Sequence, residues 1–160
     1  MSEDVPNTRA IAVGSDDAGY LLRELVERHL RALGYMVDVF GPRAAAEAID
    51  YPDVAVEVAR RVAAGEYERA ILICGTGIGM AIAANKVPGV RAAQAADAYS
   101  AERARKSNDA QVLALGSRTL GAQHALVIVD HWLRSEFEGG RSVPKVAKLI
   151  ALDECVDPPR

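Results

Sequence analysis

Five short apolar runs recur along the chain, and a longer stretch with helical spacing follows each of them. A strand buried on both faces reads as a continuous apolar run, whereas a helix that covers it carries apolar residues three and four positions apart. The runs are Arg9–Val13, Tyr35–Phe40, Arg69–Ile73, Val90–Gln94 and Ala110–Leu115. The spacing predicts a helix over 17–33, with Leu21, Leu22, Leu25, Leu30 and Leu33 on one face, and another over 51–64. A short helix is predicted from the glycine-rich turn Gly75–Gly79 to Lys86, and further ones over 98–106, 119–134 and 143–152. Gly14 is read as the end of the first strand, and Gly34 and Gly65 as helix stops. Strands alternating with helices predict an α/β fold of three layers, a five-stranded parallel sheet between helices. Ligands of such doubly wound sheets bind beyond the carboxyl ends of the strands. That rule selects 14–19, 74–79 and 116–118. The stretch 119–134 is apolar nearly all round, which predicts a second covered face, most simply a subunit contact.

The 160 residues make one domain of ordinary size, with 1–8 and 154–160 expected as flexible tails. A formal net charge of −3 does not suggest a nucleic-acid binder, which shows a basic stripe. No apolar run nears the roughly 18 residues of a membrane span, and 1–8 lacks a signal peptide's apolar region. The two cysteines, Cys74 and Cys155, are therefore expected as reduced thiols in the cytoplasm, Cys155 being incidental in its tail.

The sharpest local feature is the segment Ile73–Met80, ICGTGIGM. A cysteine ends a buried strand, three glycines bring backbone amides to it, and a helix begins at once. Such a helix start carries unpaired N–H donors and partial positive charge, which favour a phosphate, an enediolate oxygen or a thiolate. The plainer reading is a small buried hydrophobe, and the adjacent glycine turn outweighs it. A dinucleotide fingerprint is not matched, because Gly75, Gly77 and Gly79 have the wrong spacing and follow the third strand. No P-loop lysine follows either. Asp16 and Asp17, after the first strand, read as a turn and cap, or as carboxylates that order substrate hydroxyls. Tyr51 opens a helix with proline early in its first turn. Asn108 lies at a helix end. Arg141 and Lys145, four apart, read either as a solvated basic face or as a clamp on one phosphate. His29, His124 and His131 have no partners at ligand spacing, so no metal is expected.

In one order along residues 10–153, these segments resemble the ribose-5-phosphate isomerase B/galactose-6-phosphate isomerase family. They are Gly14–Gly19, Asp50–Pro52, Ile73–Met80 with Ala83–Lys86, Tyr99–Ala101, Asn108–Asp109, Val112–Arg118 and Phe137–Arg141. The resemblance implies a Rossmann-like fold, a homodimer or homotetramer with shared active sites, and neither metal nor organic cofactor. It implies aldose–ketose isomerisation of a phosphosugar through a cis-enediolate. Cys74 is then the base that moves a proton between C1 and C2, with Thr76 beside it. The amides of Gly75, Gly77 and Gly79 form the enediolate's anion hole. Asp16, Tyr51 and Asn108 contact the sugar, Asp17 stands next to them, and Arg118, Arg141 and Lys145 face the phosphate.

The chain departs from the family pattern at three positions. Many relatives carry histidine where Asp17 and Ser107 stand here, the second being the group that opens the furanose ring. Lys145 stands where arginine is usual, a point charge without a bidentate fork. Ribose 5-phosphate is the first substrate the resemblance implies. A chain without the ring-opening histidine also suits an already open sugar. A tetrose 4-phosphate is one, since its O4 is esterified and closes no furanose. A hexose 6-phosphate, or a non-catalytic phosphometabolite module, are further readings.

Overall fold

The computed structural model describes residues 10–154, so Arg9, the expected tail 1–8 and all of the expected tail 154–160 except Glu154, Cys155 included, lie outside the described residues. Within that range the strands are β1 (Ile11–Ser15), β2 (Val37–Phe40), β3 (Ala70–Cys74), β4 (Ala92–Gln94) and β5 (Val112–Gly116). The helices are α1 (Tyr20–Ala32), α2 (Tyr51–Ala63), α3 (Ile78–Ala84), α4 (Ala98–Asn108), α5 (Ala122–Leu133) and α6 (Val143–Leu152), with a 3₁₀ turn at Gly140–Ser142 before α6. All strand pairs are parallel, in the order β2-β1-β3-β5-β4. The expected three-layer αβα architecture is present.

Side chains alternate across the sheet, and two cores result. Ile11, Val13, Ile71, Ile73, Leu113 and Leu115 face α1, α4 and α5, where Trp132 is fully buried. Ala12, Leu72, Cys74, Val112 and Ala114 face α2 and α3. Every residue of β1, β3 and β5 is buried, as central strands with two covered faces require.

Several boundaries differ from the sequence reading. β1 continues through Gly14 to Ser15, because a Cβ at residue 14 would meet Val54 Cγ1 at 2.9 Å. Glycine there lets α2 approach the sheet; it does not end the strand. α1 starts at Tyr20, since Asp16–Gly19 form a turn in which the Gly19 N–H donates to Asp16 Oδ1 at 2.9 Å. Leu21 and Leu33 are 72% and 51% exposed, and the buried stripe of α1 is Leu22, Arg23, Val26 and Leu30. The leucine count hid an arginine that turns inward to donate to the carbonyls of Phe40 and Pro42. α5 starts at Ala122, after a turn at 117–121. His29 joins α1 to α5 by a 2.6 Å contact with Asp130.

β1 and β3 are neighbours whose chains leave in opposite directions, β1 toward β2 and β3 toward β5 and β4. The crevice of a doubly wound sheet opens at such a reversal. Asp16 follows β1 there, and Cys74 ends β3.

Candidate active site

Cys74 is the last residue of β3 and is 5% exposed. Strand alternation aims its side chain at the layer of α2 and α3. The chain then turns at Gly77, whose φ of +77° only glycine adopts without strain. The turn is also crowded, since a Cβ on Gly77 would lie 2.9 Å from the carbonyl carbon of Leu115. Folded this way, the Gly77 N–H donates to the Cys74 sulfur at 3.2 Å. The Ile78 N–H donates to Thr76 Oγ1 at 3.3 Å.

The end of β5 is stitched to the same turn. The Ser117 and Arg118 N–H groups donate to the carbonyls of Cys74 and Gly75, both at 2.9 Å. Ser117 Oγ donates to the Ala18 carbonyl at 2.8 Å, which ties in the turn after β1. These bonds lay the Arg118 side chain beside Gly75, where its Nη1 would be 3.3 Å from an added Cβ. Among the described residues no carboxylate lies within ion-pair distance of Arg118. Asp16 borders the same cleft and feels the Arg118 charge; burial raises its carboxyl above the ordinary 3.8. The Gly19 N–H bond opposes that rise, Asp17 adds to it, and Arg118 opposes it. Tyr51, the first residue of α2, lays its ring over Gly79, where a Cβ would meet Cε2 at 2.6 Å.

Together these groups line an open cleft of about 420 Å³. Of the residues predicted from sequence, Asp16, Tyr51, Cys74, Gly75, Thr76, Gly79 and Arg118 border it. Gly77 is buried behind it, its amide on the sulfur. Asp17 is exposed and outside the lining. Asn108, Arg141 and Lys145 do not reach this cleft from the same chain. They are exposed, and Asn108 borders a different cleft, of about 480 Å³, with Asn85, Arg91 and Leu149. Arg91 holds that helix end by donating from Nε to the carbonyls of Asn108 and Asp109, each at 3.1 Å. Asp109 takes a left-handed φ of 49° to end α4.

Sequence reasoning missed Ile78 and Ile82, which line the cleft and are 54% and 57% exposed. Their spacing of one helical turn on a short helix was the available signal. It also missed Gln94, whose Nε2 donates to the Thr76 carbonyl at 3.3 Å from the end of β4. Among the described residues no helix is long and apolar enough to cross a membrane.

A family model described as Ribose/Galactose Isomerase matches residues 11–149. The D-erythrulose-4-phosphate isomerase of Pectobacterium atrosepticum is 49% identical, over 88% of this chain and 92% of that protein. The ribose-5-P isomerase B of Listeria innocua is 46% identical, over 90% of this chain and 97% of that protein. Among solved structures, the Clostridium thermocellum ribose-5-phosphate isomerase B superposes with a TM-score of 0.88 at 47% identity, covering 91% of this chain and 97% of its own. Sequence and fold agree, and the chain belongs to the ribose/galactose isomerase family.

Proposed function

We propose that this chain interconverts the aldose and ketose forms of a phosphosugar, with Cys74 as the base that carries hydrogen between the two carbons. The observation that carries the reading is the sulfur at the tip of β3. It accepts the Gly77 N–H, and it sits in a cleft shared with Asp16, Tyr51, Thr76 and Arg118. As thiolate, the sulfur takes the proton from C2 of the aldose and leaves a cis-enediolate. The thiol returns that proton to C1, and the O2 hydroxyl proton passes to O1, so the ketose forms without gain or loss of atoms. The Gly77 amide is spent on the sulfur, so the amides of Gly75 and Gly79, which border the cleft, are left to meet the charge that develops on the enediolate, and such preorganised donors supply a large share of catalysis. Asp16 and Tyr51 hold sugar hydroxyls, and the Arg118 guanidinium meets anionic oxygen.

Ribose 5-phosphate and ribulose 5-phosphate are the first substrate pair, on the strength of relatives named ribose-5-phosphate isomerase B. The site is completed by a second copy of the chain, in a homodimer or homotetramer that supplies Asn108 to the sugar and Arg141 and Lys145 to the phosphate. Exposed Val143, Leu149, Ile150 and Leu152 on α6 fit such a contact. A base that works only as a reduced thiol suits the cytoplasm.

Ser107 favours a second reading. A tetrose 4-phosphate needs no ring opening, and two similar relatives are named for erythrulose 4-phosphate. Isomerase assays across four-, five- and six-carbon aldose and ketose phosphates test both readings, alongside iodoacetamide labelling of Cys74 followed by mass spectrometry. The isomerase reading expects turnover of at least one of these sugars and its protection of Cys74. Full activity after complete Cys74 alkylation refutes the role of the sulfur.

A further inference from the structure

α3 is only seven residues long, and its buried side is Met80, Ala81, Ala83 and Ala84. A helix this short does not stand alone in water, and alanine methyls give its neighbours shallow ridges to grip. Ile78, Gly79 and Ile82 border the cleft. A small slip of α3 therefore moves the glycine amides at its start relative to the Cys74 sulfur.

Both ends of this segment are tied to β4, the edge strand, which pairs with β5 alone. The Val112 N–H donates to the Arg91 carbonyl at 3.3 Å, and the Ala95 N–H donates to the Ala114 carbonyl at 3.2 Å. Alternation along a parallel strand then turns both backbone groups of Ala92 away from β5. Asn85, the C-cap of α3, meets them on that outer side. Its Nδ2 donates to the Ala92 carbonyl at 2.8 Å, and its Oδ1 accepts the Ala92 N–H at 2.8 Å. One side-chain amide thus does for Ala92 what a further strand would do, and it covers the sheet edge there. At the other end, Gln94 Nε2 donates to the Thr76 carbonyl at 3.3 Å, and Thr76 Oγ1 accepts the Ile78 N–H at 3.3 Å. Neither Asn85 nor Gln94 borders the Cys74 cleft.

We propose that Asn85 and Gln94 are positioning residues: from β4 they set the rotation and depth of α3, and so aim the Gly77 amide at the sulfur and the Gly79 amide at the anion formed beside it. This rests on the isomerase reading above. In that reading Asp16, Tyr51 and Arg118 hold the substrate before reaction, and they stand on other elements than α3. A slip of α3 therefore costs stabilisation of the charge that develops during reaction, and it leaves ground-state binding nearly intact. Hydrogen bonds at an exposed edge add modestly to stability, so their loss shows in turnover before it shows in a melt.

The test measures kcat, KM, thermal midpoint and hydrogen exchange across residues 75–84, with ribose 5-phosphate and erythrulose 4-phosphate as substrates. It compares the full chain with Asn85→Ala, Asn85→Asp, Gln94→Ala and the Asn85→Ala/Gln94→Ala double variant. The double variant is expected to lose about tenfold or more in kcat, with KM within about twofold of wild type. Its midpoint is expected to fall by no more than about 4 °C, and exchange across 75–84 to quicken. Asn85→Asp keeps the shape and loses the donor, so it is expected to follow Asn85→Ala. Gln94→Ala leaves the Ala92 edge covered and reads the same kcat effect if Asn85→Ala melts far lower. Wild-type kcat in the double variant, a loss carried by KM alone, or unchanged exchange across 75–84 overturns the proposal. So does Asn85→Asp with the kcat of wild type. A wild type that turns over neither sugar overturns the isomerase reading instead, and the exchange data alone then decide whether β4 holds α3.

Discussion

The amide of Gly77 donates to the sulfur of Cys74 at 3.2 Å, across a turn that only a left-handed residue closes. The pair binds backbone geometry to chemistry. If the turn opens, the sulfur loses its donor and the cleft loses its floor. Cys74→Ser keeps the shape and removes the proposed base, since a serine hydroxyl is a far weaker base than a thiolate. Turnover is expected to fall at least about 10²–10⁴-fold, with a thermal midpoint close to wild type. A steady-state assay beside a melt reads both, and wild-type turnover in Cys74→Ser would remove the sulfur from the mechanism.

Gly77→Ala tests the turn itself. A left-handed conformation costs a non-glycine residue about 1–2 kcal/mol, and the Cβ would also press on the backbone of β5 at 2.9 Å. For a chain of this size each kcal/mol lowers the thermal midpoint by about 2–4 °C. Calorimetry is expected to show at least that loss, accompanied by a fall in kcat.

Arg118 has no carboxylate partner within ion-pair distance among the described residues, and it lines the cleft, as the proposed contact with the substrate's anionic oxygen requires. Hydrogen bonds to charged groups are worth about 1.5–3 kcal/mol, or about tenfold to a hundredfold in binding. Arg118→Ala is expected to raise KM over that range, with a smaller change in kcat. A KM equal to wild type would place the phosphate elsewhere.

Asp16 links stability to pH. Burial raises its carboxyl above 3.8, so the folded chain holds this proton more tightly than the unfolded chain does. Where the folded state binds more protons, stability falls as pH rises. The cost is absent below 3.8 and fully present above the raised value. Asp16→Asn keeps an oxygen for the Gly19 N–H and removes the charge. It is expected to show a higher urea midpoint than wild type at pH 7, a difference that shrinks toward pH 4, and weaker substrate binding. An equal midpoint at both pH values would contradict the assignment.

The proposed sharing of the site between two copies is tested by mixing subunits. Cys74→Ser and Arg141→Ala are each expected to be nearly inactive alone. Unfolded together and refolded, they form mixed dimers in which one cleft holds both native residues. Recovery toward about a quarter of wild-type activity is expected from random pairing of two chains. No recovery would mean that Arg141 serves the cleft of its own chain or none.

The central strands were legible in sequence because β1, β3 and β5 are buried on both faces and cannot avoid reading as apolar runs. The glycine turn after Cys74 was legible for a related reason. Its backbone needs a left-handed residue at Gly77, and it tolerates no side chain against Leu115 or beneath the Tyr51 ring. The face of α1 was not, because leucine count is not burial. Leu21 lies on the open side, and Arg23 turns inward to serve two carbonyls of a distant loop. Nor did any local pattern announce Gln94, whose contact with Thr76 spans 18 residues and depends on how β4 sits beside β5. The separation of Asn108, Arg141 and Lys145 from the Cys74 cleft is likewise a property of the tertiary arrangement that spacing does not encode.

Adjacent residues of β3 point into opposite layers, Ile73 toward α1, α4 and α5 and Cys74 toward α2 and α3. The pairing of Cys74 with Gly116 therefore acts as an address for the sulfur. A single residue gained or lost between Arg69 and Cys74 would deliver the thiol to the far side of the sheet, among aliphatic side chains. Such a protein would keep nearly all its atoms and its apolar composition, and it would have nowhere to do its chemistry.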